Sequence, residues 1–292
     1  MCGRFACPYD VQQIQTKLKE SGVQTTLEFE SQVPQTHRFN ICPRQKIIVA
    51  YVNEKGDNVL NTMTWGFIPS WATKTPKVQP INVQDKTLLE KSTIFDKPKN
   101  QRRCIVIAEG FFEWKKHGTK KKTPYYIRRK DKQLMLMAGV YDISNISGVQ
   151  FTCAIITTSA APSLRSIHTR MPVILENSPE VVNTWLSGQP WGDKLASVMQ
   201  PFKGTLQSYQ VKNEMGSVGY DSPDCIAPVD QQKGSIARFL IPVQSSLGKR
   251  KCSPDPALDP NLSSFDSHPN KKQSRELLNK KKEDQFSDFY GK

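Results

Sequence analysis

No stretch of this 292-residue sequence is apolar for long enough to cross a bilayer. The opening residues also lack the apolar core of a secretion signal, with Arg4 following closely on Cys2. Seven cysteines, at 2, 7, 42, 104, 153, 225 and 252, contain no Cys-x-x-Cys spacing. An odd, scattered set of this kind argues against a disulfide framework and against a zinc site, and it fits a reducing compartment. No metal and no cofactor are expected, and no internal repeat appears.

Basic residues, by contrast, are in excess. The formal charge is +14, from 41 Lys and Arg against 27 Asp and Glu. The segment from Gly248 onward accounts for +3 and the preceding residues for +11. The excess is therefore carried mainly by the part expected to fold, which points to a polyanion partner, nucleic acid being the commonest.

Along the chain, residues 10–21 read as a helix capped by Asp10, with Val11, Ile14 and Leu18 on one face and Gly22 as its stop. Strands are expected at 46–52, 104–108, 151–158 and 170–175. PYYIRR and LMLMAGVYDI, within 124–143, read as a hairpin turning near Lys130–Asp131. Ser178-Pro179-Glu180 opens a second helix that Gly188 closes. Strands outnumber helices, so the expected class is α+β with a curved, largely antiparallel sheet system. Beyond about Gln244 the composition turns to Ser, Pro, Asp, Asn and Lys, and residues 245–292 are expected to be a disordered basic tail.

Position 2 carries a cysteine directly after the initiator methionine. Removal of Met1, which is usual before a small side chain, would place a free thiol and a free α-amine on adjacent carbons of one residue. Four further stretches set reactive side chains beside Gly, Pro and aromatics: WGFIPSW at 65–71, PIN at 80–82, EGFFEW at 109–114 and IHTRMP at 167–172. Taken singly, each has an ordinary structural reading. Together, MCGRF, FNICP at 39–43, WGFIPSW, IN at 81–82, RRCIVIAEGFFEW and IHTRMPV resemble, in the same order, the SRAP (SOS-response-associated peptidase) family. The resemblance spans roughly residues 2–230 and implies one SRAP-type domain, barrel-like and flanked by helices, over residues 2–240.

It also implies an activity and roles. The family includes eukaryotic proteins that shield abasic sites in DNA through a covalent cross-link. An abasic site is a sugar hemiacetal in equilibrium with an aldehyde, and a 1,2-aminothiol condenses with an aldehyde to a thiazolidine. An α-amine with pKa about 8 is far more often neutral at pH 7 than a lysine at about 10.4. On the family pattern Cys2 is the nucleophile, Asn82 orients the sugar, Glu113 moves protons during imine formation, and His168 assists ring opening. Arg4 and Arg170 match phosphate-contacting arginines, and Asn40 lies in the FNICP segment counted with the DNA-contacting positions. Trp65 and its neighbours match the region that stacks beside the lesion. Where the family has N-A-R-x-E-T, this sequence reads N-V-Q-D-K-T: Gln84 replaces an arginine and Lys86 an acid. The expected partner is single-stranded DNA carrying abasic sites, in the nucleus, with processing near the N-terminus to expose Cys2.

Two rival readings stay open. MCG also begins N-terminal-nucleophile amidohydrolases, although the sequence has no Asn-Gly pair of the kind that builds their oxyanion hole. A non-covalent reader of modified bases needs only phosphate contacts and aromatic stacking. Further signals are a basic hairpin at 115–132, two basic clusters at 248–254 and 269–275 compatible with nuclear import, and Phe286, Phe289 and Tyr290 at a spacing used by sliding-clamp ligands.

Overall fold

A computed structural model describes residues 2–28, 37–90, 94–119 and 121–231. In chain order it contains β1 (Arg4–Cys7), α1 (Val11–Glu20), β2 (Thr26–Leu27), β3 (Arg38–Ile41), β4 (Lys46–Val52), β5 (Asn58–Trp65) and β6 (Asn82–Gln84). Then follow α2 (Asp85–Leu89), α3 (Asp96–Gln101), β7 (Arg103–Ala108), β8 (Gly110–His117), β9 (Lys121–Arg129), β10 (Met135–Ser144) and β11 (Gln150–Ser159). The remainder is β12 (Arg170–Pro172), β13 (Ile174–Leu175), α4 (Pro179–Leu186), α5 (Asp193–Ala196) and β14 (Leu206–Gln210). The architecture is α+β, with two sheets, as expected.

The larger sheet curls on itself. Its strands run β11–β10–β7–β4–β5, and β11 then pairs in parallel with β5 through Thr152–Thr64 and Cys153–Trp65. That last pairing closes a five-strand ring, which removes the free edges an open sheet would expose. The strands facing this ring are near-continuous apolar runs: all six residues of β7 are buried, as are eight successive residues of β10. The second sheet is ordered β14–β9–β8–β1–β3. Its β1 lies between β8 and β3, so the start of the chain is gripped on both sides.

Local signals explain the helices. Asp10 accepts from the Gln13 amide at 2.7 Å, and the Gln13 side chain accepts from the Asp10 amide at 3.0 Å, a reciprocal cap. Val11, Ile14 and Leu18 are the buried face of α1, and Gly22 ends it at φ +78°, a conformation costly for any residue with a Cβ. α4 starts on the Ser178 cap and buries Val182, Trp185 and Leu186. Trp185 is fully buried and donates to the Cys104 carbonyl at 2.9 Å, locking α4 onto β7. Truncating so large a core aromatic costs about 3–5 kcal/mol.

Two strand expectations are corrected. Residues 124–143 are not a hairpin: β9 pairs with β8 and β14, whereas β10 pairs with β7, β11 and β13, in the other sheet. The link between them is a crossover. Arg129 pins it by donating to Asp131, Gln133 and Asn177, and Lys132 takes φ +60°. The true hairpin is β8–β9, turning at Gly118 with φ +64°. The expected strand at 170–175 is two, β12 on β11 and β13 on β10. The tail, with its basic clusters and Phe286, Phe289 and Tyr290, lies outside the described residues.

Candidate active site

Cys2 sits just before β1, and the antiparallel register of β1 on β8 places Arg4 opposite Phe112. Extending that register brings residue 3 opposite residue 113 and residue 2 opposite residue 114, so β8 carries Glu113 to the start of the chain. Cys2 is fully buried. Burial, and next the negative charge of Glu113, push its thiol well above the ordinary range, which keeps the sulfur protonated. Glu113 is itself buried, with 4 % exposure. Burial raises its carboxyl, and the charge of His168 acts in the opposite direction. Cys2, Glu113 and His168 thus lie within one electrostatic neighbourhood.

Asn82 completes it. β6 runs parallel to β11, pairing Asn82 with Ile155 and Gln84 with Thr157. From this position the Asn82 side chain donates through Nδ2 to the Cys2 carbonyl oxygen at 2.8 Å. Its Oδ1 is buried and has no hydrogen-bond partner. Leaving a buried acceptor unmatched costs about 1–3 kcal/mol, so a ligand donor at this spot is worth binding. The backbone beside it is rigid, because Trp65 Nε1 donates to the Ile81 carbonyl at 2.8 Å.

His168 follows a tight turn, its amide donating to the Leu164 carbonyl at 3.0 Å. The ring Nδ1 accepts from the Arg170 amide at 3.1 Å. The same Nδ1 lies 3.2 Å from the Arg170 carbonyl oxygen, so the backbone of Arg170 holds the ring by this edge. The Arg170 side chain folds back on β11, where Nη2 meets Asp85 Oδ1 at 2.9 Å and Thr157 Oγ1 at 3.1 Å, and donates to the Thr157 carbonyl. Its Nε is buried with no partner. One orphan acceptor on Asn82 and one orphan donor on Arg170 are complementary to a ligand bearing both a hydroxyl and an oxyanion.

Three of the expected DNA-contacting residues are engaged elsewhere. Trp65 has no exposed surface and packs edge-on against Phe5 at 5.1 Å, so it cannot stack on a base. Trp71, at the other end of the same motif, is 69 % exposed, and it precedes the exposed Lys74 and Lys77. Asn40 is buried and donates to the carbonyls of Met215 and Tyr220 at 2.8 and 2.7 Å. Arg4 donates to Asn40 Oδ1 and to the carbonyls of Met215 and Gly216 at 2.9–3.1 Å. Arg4 and Asn40 therefore clasp the turn Asn213–Gly216 against β1 and β3, a role that no local pattern announces. Gln84 is exposed at the end of β6. Asp85 and Thr158, which hold Arg170, escaped the sequence reading.

With this geometry in place, the comparisons are specific. Residues 1–218 match the sequence model of the family described as SOS response associated peptidase (SRAP). The chain belongs to the SRAP family. Its relatives include the abasic site processing protein YoqW of Bacillus subtilis, 34 % identical over 232 residues, covering 77 % of this chain and 99 % of YoqW. The abasic site processing protein YMR114C of Saccharomyces cerevisiae is 29 % identical, over 78 % of this chain and 68 % of its own. The mouse abasic site processing protein HMCES is 26 % identical, over 70 % and 69 %. A crystal structure of a Bacteroides thetaiotaomicron protein has a similar fold, at TM-score 0.67 and 24 % identity, covering 78 % of this chain and 99 % of that one.

Proposed function

We propose that this SRAP protein processes abasic sites, and that it does so in single-stranded DNA by a covalent bond through Cys2 once Met1 is removed. The observation that carries the reading is the 2.8 Å hydrogen bond from Asn82 to the Cys2 carbonyl, which holds the first residue beside Glu113. The names of the relatives support the lesion, and the basic charge of the body supports a nucleic-acid ligand.

The chemistry balances without an external reagent. His168 takes the proton from the anomeric hydroxyl as the ring C–O bond breaks and returns it to the departing ring oxygen, giving the open aldehyde. The Cys2 amine adds to the carbonyl carbon, and Glu113, whose carboxyl burial raises, relays a proton from the nitrogen to the hydroxyl, which departs as water. The thiol then adds to the imine carbon while its proton passes to nitrogen, closing the thiazolidine. A buried, protonated thiol suits this order, because the sulfur acts last. It suits an amidohydrolase poorly, since there the thiolate must attack first.

A duplex would have to be opened before a buried terminus could reach the sugar, which favours single strands. A nuclear setting, and clamp binding through Phe286, Phe289 and Tyr290, belong to the same proposal. The test is gel migration under SDS after incubation with abasic single-stranded DNA. A shifted band that Cys2→Ala abolishes supports the reading; a complex that falls apart in SDS or high salt would restore the non-covalent alternative.

A further inference from the structure

Trp71 ends a segment anchored at every second amide. Gly66 donates to the Cys153 carbonyl at 3.0 Å, Ile68 to the Thr152 hydroxyl oxygen at 2.9 Å, and Ser70 to Asp142 Oδ2 at 2.8 Å. The Thr152 hydroxyl returns a hydrogen bond to the Ile68 carbonyl at 3.2 Å. Asp142 and Thr152 lie directly opposite each other on β10 and β11, so two of the anchors share one rung of the ring. Asp142 is buried, and its Oδ1 pairs with Arg102 Nη1 and accepts from the Ile143 amide at 2.9 Å. Residues 65–69 are buried one after another. A turn closed by the Ala72 amide on the Pro69 carbonyl at 3.0 Å then delivers Trp71 to solvent. Both stems of this loop border the site: Phe67 donates to the Pro80 carbonyl at 2.9 Å, Trp65 Nε1 reaches the Ile81 carbonyl, and Asn82 follows directly. Lys74 and Lys77 are exposed farther along the loop. A largely exposed indole on a backbone held this tightly is fixed in advance, as a platform for a flat, unpaired base must be.

We propose that Asp142 is a positioning residue for single-stranded DNA: by taking the Ser70 amide it sets the direction in which Trp71 leaves the ring, and so preorganises the indole against a base beside the lesion. This rests on the abasic-site reading and deepens it. Asp142 is too deeply buried to touch the strand, and acts through the turn it holds. Arg102 completes the device, since by holding Oδ1 it keeps Oδ2 aimed at Ser70. Stacking accepts any base, so the contact adds affinity without sequence preference.

The experiment is a double-mutant cycle on the full chain: wild type, Asp142→Ala, Trp71→Ala and the two together. The probe is single-stranded DNA carrying a tetrahydrofuran, an abasic analogue with no aldehyde, so that affinity is read without cross-linking. The inference predicts that Trp71→Ala weakens binding by about fivefold or more, the low end for one stacked base. Asp142→Ala should weaken it by about threefold or more in the wild-type background, and by less than about twofold once Trp71 is gone. Should Asp142→Ala melt below the assay temperature, Asp142→Asn carries the test, because its single oxygen cannot serve Arg102 and the Ser70 amide together. On a strand whose bases beside the analogue are also removed, Asp142→Ala and wild type should bind within about twofold of each other. On natural abasic DNA, Asp142→Ala should raise the DNA concentration that gives half the maximal cross-linking rate and leave the rate at saturation within about twofold. Unchanged affinity, or an equal loss with and without Trp71, would reduce Asp142 to a structural ion pair. A wild-type chain that forms no adduct with natural abasic DNA would instead overturn the proposed function, while the cycle on the analogue still decides the role of Asp142.

Discussion

Asn82 and Cys2 are 80 positions apart, yet the Asn82 side-chain amide donates to the Cys2 carbonyl at 2.8 Å. The contact exists because β6 is laid on β11 while β1 is gripped between β8 and β3, so two independent ladders meet at Cys2. Replacing Asn82 by Ala removes this bond together with the orphan acceptor beside it. One hydrogen bond is worth about 1 kcal/mol, so adduct formation should slow by roughly fivefold from that loss alone, and by more where Oδ1 also binds the sugar. Single-turnover rates with saturating DNA check this; a rate equal to wild type would show that Asn82 orients nothing.

Glu113 carries a stability cost that pH exposes. Its carboxyl is raised in the fold above the ordinary value of about 4.3, so the native state holds this proton more tightly than the unfolded chain does. The stabilisation is complete below about pH 4.3 and is lost as pH rises through the raised folded value. Glu113→Gln removes the buried charge. The variant should melt at the same temperature as wild type in acid and at a higher one near neutral pH, by about 2–4 °C for each kcal/mol. It should also lose most of its cross-linking rate. A variant that is less stable than wild type at neutral pH would contradict the account of the site.

The two tryptophans of WGFIPSW should separate cleanly. Trp65→Ala empties a fully buried position and should cost about 3–5 kcal/mol in stability. Trp71→Ala should leave the melting temperature almost unchanged and weaken binding to single-stranded DNA by about 1–3 kcal/mol, the usual worth of one stacked base. Fluorescence-anisotropy titrations beside thermal melts distinguish them, and the reverse pattern would overturn the assignment.

Lys121 and Lys122 are exposed at the start of β9, at the tip of the basic β8–β9 hairpin. Neutralising Lys120, Lys121 and Lys122 together should weaken binding and flatten the plot of log affinity against log salt, each lost phosphate contact reducing a single-strand slope by about 0.7. An unchanged slope would mean that these lysines are only solvated.

Helices α1 and α4 were legible because their caps and apolar faces are local, within a span of about ten residues. So were most strands, since apolar runs with β-branched residues mark them wherever they pair. Partners were not legible. β9 and β10 look like a hairpin because alternation identifies a strand and says nothing of its sheet, whereas the Arg129 clasp that separates them draws on Asn177, 48 positions away. Cys2, Asn82, Glu113 and His168 could be picked out because they sit in motifs resembling a known family. The clasp that Arg4 and Asn40 make was not legible for the complementary reason: their acceptors lie at 215, 216 and 220, beyond any motif that contains them. Trp65 and Trp71 are indistinguishable as letters, and only the inward face of β5 decides between them. Asp85 gave no signal at all, since an acid after a short strand is usually a surface charge.

The most direct test is the intact mass of the full chain, purified and then incubated with single-stranded DNA bearing one abasic site. The account predicts a protein lacking Met1 whose adduct weighs the sum of the two components less one water, and no such species from Cys2→Ala. Active protein that retains Met1, or an adduct of that mass formed by Cys2→Ala, would contradict it.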